Sequence, residues 1–330
     1  MNLYIENSCT DPQFNLALEQ YIFDFLDRKH NYFMLWRNNN SVIVGKNQNT
    51  LAEINLPFVK SNNINVVRRL SGGGAVYHDL GNINFTFITG ADNEKIDFSL
   101  FCGFIQKALV SFGIPAEISG RNDITIGDSK ISGNAQYVKN RRVMHHGTLL
   151  YDCDLDMLSG ALTVKEDKFE SKGIKSVRSR VANIRPFLKE DIPVEKFSAK
   201  LGKYLFNELD MNEYNIFNDD ICKIEKLKEE IYSKWSWNYG SSPPYNIRKI
   251  RRIEGCGNIE ILLDVGKEGI INNIVFFGDF FGSSDPAELA DALKGHHFEY
   301  GEIKGAIKEM DIPLFFYDIC AAGFLSLLFE

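Results

Sequence analysis

The sequence predicts an α+β protein with a larger domain over residues 1–245 and a smaller α+β domain over 246–330. Three observations carry this expectation. A chain of 330 residues exceeds most single hydrophobic cores. Strand-like runs interleave with segments of helical period along its length. Gly240, Ser241, Ser242, Pro243 and Pro244 fall together, and such punctuation marks a linker with a boundary near Tyr245.

An apolar strand over residues 3–5 leads into a helix, with Asp11 as N-cap and Pro12 at the first helical position. Phe14, Leu18, Tyr21, Ile22 and Phe25 recur at helical spacing and are expected to face the core. Strands are expected over 32–36 and 41–44, with Asn38, Asn39 and Asn40 as the turn between them. Residues 66–69 and 84–88 read as strands flanking a glycine-rich loop, and 98–112 as a helix closed by Gly113 and Pro115. Strands over 123–126 and 130–137, joined by Gly127 and Asp128, suggest a hairpin, and 143–150 adds a further strand. Residues 192–206 and 221–234 have helical period, and 235–245 reads as the linker. Beyond it come strands over 247–253, 259–265 and 270–277 and helices over 286–293 and 302–310, with no evident chemistry of their own.

The 44% hydrophobic and 25% charged composition is that of a globular protein. A formal net charge of −7 argues against global attraction to nucleic acid or anionic lipid. No helix-turn-helix or finger pattern is present, so no nucleic-acid partner is expected. The N-terminus lacks a basic region followed by an apolar stretch, and no apolar run approaches the roughly 18 residues of a membrane span. The six cysteines are scattered without a C-x-x-C pair, which reads as reduced thiols in a cytoplasmic protein.

The most informative stretch runs from Arg68 and Arg69 through Ser71, Gly72, Gly73 and Gly74 to His78. Consecutive glycines cost backbone entropy and add nothing to a core. They suit either a tight hairpin turn or a loop whose bare N–H groups hold an anion, with Arg69 as a fork for phosphate or carboxylate. Neither the P-loop nor the dinucleotide-binding spacing is present. Lys130 lies among small residues on the hairpin, where its ammonium could neutralise charge developing on a phosphoryl group. Asp123 could hold Mg²⁺. An exposed hairpin lysine and a capping aspartate are the plainer readings. His145 and His146 are adjacent on a strand and so point to opposite faces, which disfavours a metal pair. Residues 172–183 form a basic loop that suits either a solvated surface or a lid.

Taken together, the segments RRLSGGGAVYHDLGNINFTF, GRNDITIGDSKISGNAQY, HHGTLL and KGIKSVRSRVANI, in that order, resemble the lipoate-protein ligase A family. NLALEQYIF and LWRNNNSVIVGKNQN near the N-terminus add to the resemblance, which covers residues 1–245 with specific motifs and the remainder more loosely. It implies a biotin/lipoate ligase-like mixed-sheet catalytic domain with a small accessory domain. It also implies a two-step reaction: lipoate and ATP give lipoyl-AMP and pyrophosphate, then a lysine of an acceptor attacks the anhydride and releases AMP. Acceptors would be the lipoyl domains of 2-oxoacid dehydrogenase E2 subunits and the glycine cleavage H-protein.

On that resemblance Lys130 is the essential lysine, contacting both lipoate and the adenylate phosphate. Arg69, Gly74, Ala75, Val76 and Tyr77 match nucleotide-binding positions. Ser71, Gly72, Gly73, His78, Gly133, Ala135, His146 and Gly147 would line the lipoate tunnel. Lys172, Gly173, Ser176 and Arg180 fall in the segment that folds over the adenylate.

Two other readings remain. One is an ATP-independent octanoyl or lipoyl transferase working through a cysteine thioester; Ser132 follows Lys130 and Ile131 where such an enzyme would carry its thiol, leaving Cys153 as the candidate. The other is a non-catalytic lipoate-binding regulator, against which the intact Lys130, Arg69 and glycine loop argue.

Overall fold

The computed structural model describes residues 1–91, 96–120, 122–163, 181–240, 245–266 and 269–329. Its strands are β1 (Asn2–Glu6), β2 (Asn31–Trp36), β3 (Ser41–Val44), β4 (Asn65–Arg68), β5 (Val76–His78), β6 (Asn82–Gly90) and β7 (Glu117–Ser119). They continue with β8 (Asp123–Ile126), β9 (Ser129–Lys139), β10 (Arg142–Leu150), β11 (Met211–Tyr214), β12 (Ile247–Ile253), β13 (Gly257–Val265) and β14 (Ile271–Gly278). The main sheet is eight-stranded, in the order β11-β1-β2-β6-β10-β9-β8-β7. It is mixed: β1 runs parallel to both β11 and β2, whereas β2, β6, β10 and β9 pair antiparallel. A second sheet, β4-β3-β5, holds the glycine loop between β4 and β5. The antiparallel sheet β12-β13-β14 lies in the C-terminal part.

Strand alternation divides the main sheet's side chains between two cores. Phe33 and Leu35 of β2 join Phe85 and Phe87 against the helices Ser99–Ser111 and Val194–Glu208. Tyr32, Met34 and Trp36 face the other way, against the helix Pro12–Phe25. That helix starts as expected, with Asp11 accepting from the Gln13 N–H and Pro12 in its first turn. The hairpin over β8 and β9 forms about Gly127, whose φ of 55° places it in the left-handed region. A third core, with Ile261, Leu263, Phe276, Leu289 and Phe324, belongs to the C-terminal part.

Several expectations change. Phe25 ends its helix 62% exposed, and Leu16, Ala17 and Phe23 occupy the buried face with Leu18, Tyr21 and Ile22. Strands β2 and β3 do not pair: β2 is hydrogen-bonded to β1 and β6, β3 to β4 and β5. Asn38 is accordingly fully buried rather than a surface turn residue. The short strand β5, which returns from the glycine loop, is too brief for a periodic signal. The stretch expected as linker begins with a helical turn, Trp235–Asn238, docked on β4. Asn238 Oδ1 accepts from the Arg68 N–H at 2.9 Å, and Trp237 Nε1 donates to the Arg68 carbonyl at 2.8 Å. The helix expected over 302–310 spans Tyr300–Ala306, and the helices Ile312–Phe315 and Ala321–Phe329 follow. The last is nearly all apolar and so shows no stripe by which a sequence reveals a helix.

The C-terminal part docks on the glycine-loop sheet. Gly278 N–H donates to the Asn47 carbonyl at 2.8 Å, Gly73 N–H to the Phe280 carbonyl at 3.3 Å, and Lys46 pairs with Asp285 at 2.8 Å. Phe281 inserts among the main-sheet core residues, its ring 5.3 Å from that of Phe98.

Candidate active site

A cavity of about 280 Å³ opens between the glycine loop, the hairpin β8–β9, the strands β6 and β10, and the segment after β14. Its mouth carries charge. Lys130 Nζ pairs with Asp123 Oδ1 at 2.7 Å, and the two side chains are 37% and 35% exposed. The register explains the pairing: Asp123 lies opposite Gly133, three residues beyond Lys130, and the β8–β9 ladder shifts at Ile124 and Thr125. A Cβ on Gly133 would come within 2.9 Å of Lys130 Nζ, so only glycine leaves the ammonium room at this wall. The backbone of Lys130 is held from the other side by the Ala182 N–H at 3.0 Å.

Arg69 braces the glycine loop from within. Its Nε donates to Ser71 Oγ at 3.0 Å, and its terminal nitrogens donate to the carbonyls of Ile43, Gly72 and Gly74 at 3.2, 2.7 and 2.8 Å. Burial pushes the guanidinium down to about 10, so it stays charged at neutral pH. The expected fork for a ligand is therefore largely engaged by protein oxygens; a loop of three glycines has no side chains to hold it, and Arg69 supplies the restraint. Gly73 has a φ of 91°, and a Cβ there would meet the Phe281 ring at 2.9 Å.

Behind the loop runs a buried relay. Trp36 Nε1 donates to Thr86 Oγ1 at 2.9 Å, Thr86 Oγ1 donates to Glu19 at 2.6 Å, and Glu19 also faces His146 Nδ1 at 2.9 Å. His146 Nε2 meets Ser71 Oγ at 2.6 Å. Through these contacts His146 ties the loop, by way of β10, to Glu19 on the first helix. His145 points to the opposite face, as strand geometry requires, between Gln136 and Asn134 at 3.0 and 3.1 Å. Burial, then His146, holds His145 well below the ordinary histidine range. His78, 3% exposed, lies on the cavity wall and is pushed down to about 3 by burial, Arg69 and His146, so it is neutral.

The cavity brings together Lys130, Asp123, Arg69, Gly73, Gly74, Ala75, Val76, His78, Gly133, Ala135, His146 and Gly147. Three expected residues do not reach it. Ser71 lies beneath the loop, bonded to His146. Gly72 packs on Phe280, whose carbonyl would be 2.3 Å from an added Cβ. Tyr77 faces the core of the small sheet and donates its hydroxyl to Asn40 at 2.9 Å, because the alternation of β5 sends His78 to the cavity and Tyr77 away from it. Lys172, Gly173, Ser176 and Arg180 lie outside the described residues. Among the described residues no group of three metal-ligating side chains occurs.

Leu16, Trp36, Asn84, Asp279 and Phe281 also line the cavity, and Glu19 supports it. A glutamate among the apolar residues of an amphipathic helix was the available signal for Glu19. Asp279 and Phe281 gave none: the C-terminal part was expected to carry no evident chemistry of its own, and these two residues place it on the cavity wall.

A mixed sheet with a braced glycine loop and a lysine at the mouth of a cavity whose inner wall is buried gives this α+β domain the form of an enzyme active site. Residues 11–206 match the Lipoyl protein ligase A/B catalytic domain, and residues 242–328 match the Bacterial lipoate protein ligase C-terminus. The chain belongs to the lipoate-protein ligase family. It is 45% identical over 320 residues to lipoate–protein ligase 1 of Staphylococcus aureus, covering 97% of both chains. It is 44% identical over 332 residues to lipoate-protein ligase LplJ of Bacillus subtilis, covering 99% of this chain and 100% of that one.

Solved structures agree. P. falciparum LipL1 in complex with lipoate superposes with a TM-score of 0.78 at 27% identity, over 99% of this chain and 97% of that one. Lipoate-protein ligase A bound with ATP gives 0.62 at 28% identity, over 72% and 98%. The bipartite archaeal ligase of Thermoplasma acidophilum, described with its E2 lipoyl domain, gives 0.64 at 28%, over 74% and 99%.

Proposed function

We propose that this protein activates lipoate with ATP to lipoyl-AMP and then transfers the lipoyl group to a specific lysine of apo lipoyl domains. The observation that carries the reading is the Lys130 ammonium, held by Asp123 at the mouth of a cavity whose inner wall is buried. In the first step a carboxylate oxygen bonds to the α-phosphorus and the bond to pyrophosphate breaks. Lys130 neutralises charge on the carboxylate and the phosphoryl oxygens, and the loop residues Gly74, Ala75 and Val76 on the cavity wall would offer backbone N–H groups to the nucleotide. In the second step the acceptor amine attacks the acyl carbon, the carbon–oxygen bond to AMP breaks, and the amine loses its proton. A closed site protects the anhydride from water between the steps.

Mg²⁺ fits this site only as an ion shared with the nucleotide, because Asp123 is a single carboxylate and Mg²⁺ is commonly held by one or two carboxylates plus phosphates. When bound it would offset phosphate charge. Arg69 acts on the nucleotide through the backbone it positions. Residues 1–245 form the catalytic unit, and 246–330 an accessory unit that contributes Asp279 and Phe281 to the cavity wall. The acceptors are the lipoyl domains of E2 subunits and the H-protein, both resting on the family resemblance. No described helix is long and apolar enough to cross a membrane, and a cytoplasmic location suits ATP and these acceptors.

The thioester reading has little geometric support. Cys153 is absent from the cavity wall, and burial followed by the nearby Asp79 pushes its thiol well above the ordinary range. Pyrophosphate release from ATP on addition of lipoate, followed by a mass gain on an apo lipoyl domain, tests the proposal. Transfer from an acyl thioester without ATP contradicts it.

A further inference from the structure

The cavity ends in two polar side chains that the reaction does not use. A chain of hydrogen bonds fixes the tautomer of the first. Asn15 Nδ2 donates to the carbonyls of Cys9 and Arg37 at 3.0 and 3.1 Å, which settles the orientation of its amide. The same nitrogen donates to Asn38 Oδ1 at 2.9 Å, so Asn38 turns its Nδ2 to His78 Nδ1 at 3.1 Å. A neutral imidazole that accepts at Nδ1 carries its proton on Nε2. That Nε2 is buried and has no hydrogen-bond partner among the described residues. The second group is Asn84. Its Oδ1 accepts from Asn82 at 2.8 Å, and its Nδ2 is likewise buried without a partner among the described residues.

Both residues lie on the wall of the cavity, 3% and 1% exposed, far more buried than the Lys130–Asp123 pair at its mouth. Trp36 stands between them: it is opposite Asn84 in the β2–β6 register, and its ring lies edge-on to His78 at 6.4 Å. Buried polar groups are nearly always paired, so two unpaired donors on one cavity wall point to an acceptor that arrives with the ligand.

Resting on the lipoate-ligase reading, we propose that His78 Nε2–H and the Asn84 amide recognise the sulfur atoms of the dithiolane ring and so select lipoate over a saturated acid of equal chain length. A carboxylate held near Lys130 sends the tail toward this inner end. Lipoate and octanoate share the carboxylate and the carbon chain and differ only in the two sulfurs. Sulfur of this kind is a weak acceptor, whereas an alkyl carbon is none. Octanoate therefore leaves both donors buried and unpaired, and lipoate relieves them. Discrimination arises from the penalty against the wrong tail as much as from attraction to the right one.

The test is pyrophosphate release by the full chain with Mg²⁺-ATP and either lipoate or octanoate. The native protein is expected to favour lipoate in kcat/KM by at least about tenfold. His78→Phe and Asn84→Leu, each verified as folded by its thermal transition, are expected to shrink that ratio at least about threefold. A ratio near one in the native protein overturns the proposal, as does an unchanged ratio in both folded variants. If neither variant folds, the native ratio decides alone. Absence of release with either acid defeats the ligase reading and this inference with it. Equal release with both leaves the ligase reading standing and removes only the donor pair.

Discussion

The ammonium of Lys130 rests where any side chain at residue 133 would displace it: a Cβ on Gly133 would stand 2.9 Å from Nζ. Gly133→Ala should therefore act on chemistry more than on stability. The expected outcome is a fall of at least about tenfold in kcat, since misplacing a reacting group by an ångström can cost two orders of magnitude. Thermal unfolding should change little, because the lysine is a flexible side chain that can swing outward. Steady-state pyrophosphate release and a melting curve check both halves.

Arg69 makes four hydrogen bonds to the glycine loop and β3 from a buried position. Arg69→Lys keeps the charge but loses the planar fork that these oxygens need. We expect a loss of at least about 3 kcal/mol in denaturant unfolding, from carbonyls left without donors. Activity should fall even below the denaturation temperature, because the loop backbone would no longer be fixed.

Stability should also depend on pH through His78 and His145. Unfolded, each binds a proton near the ordinary value of 6.5; folded, His78 does so only near 3 and His145 far below 6.5, chiefly because of burial. Between those values the unfolded chain holds more protons, so the contribution is complete above 6.5 and is lost as the pH falls toward 3. Each histidine adds a slope of roughly 1.4 kcal/mol per pH unit at most. Denaturant midpoints at pH 8 and pH 5 measure it. A midpoint that does not fall on acidification contradicts the burial argument.

The ring of Phe281, 1% exposed, packs on Phe98 and on the wall beside Gly73. Phe281→Ala should open that wall. The expected result is a higher KM for lipoate together with a loss of about 3–5 kcal/mol, the usual range for a buried phenylalanine. Lipoate titrations followed by calorimetry and by unfolding separate the two effects.

Local rules made part of this molecule legible. Asp11 and Pro12 announce the first helix because capping is decided by neighbours in sequence, and Gly127 announces the β8–β9 turn for the same reason. Adjacent histidines on one strand told correctly that His145 and His146 diverge. Tertiary satisfaction hid the rest. Asn38 sits in a triple-asparagine run that looks like a surface turn, yet among the described residues its amide is satisfied by Asn15 and His78, which are distant in sequence. Glu19 is tolerated in a core because Thr86 and His146 meet it there. Asp279 and Phe281 enter the cavity through docking of a separate sheet, which no periodicity encodes.

The central claim is that Lys130 stabilises the charge that develops as the acid attacks the α-phosphorus, and one measurement addresses it most directly. Single-turnover formation of lipoyl-AMP, with lipoate and Mg²⁺-ATP saturating, should be at least about a hundredfold slower in Lys130→Ala than in the native protein. The melting temperature should stay nearly unchanged, since an exposed ion pair adds at most about 1 kcal/mol. Adenylate forming at the native rate in a folded Lys130→Ala protein would contradict the account.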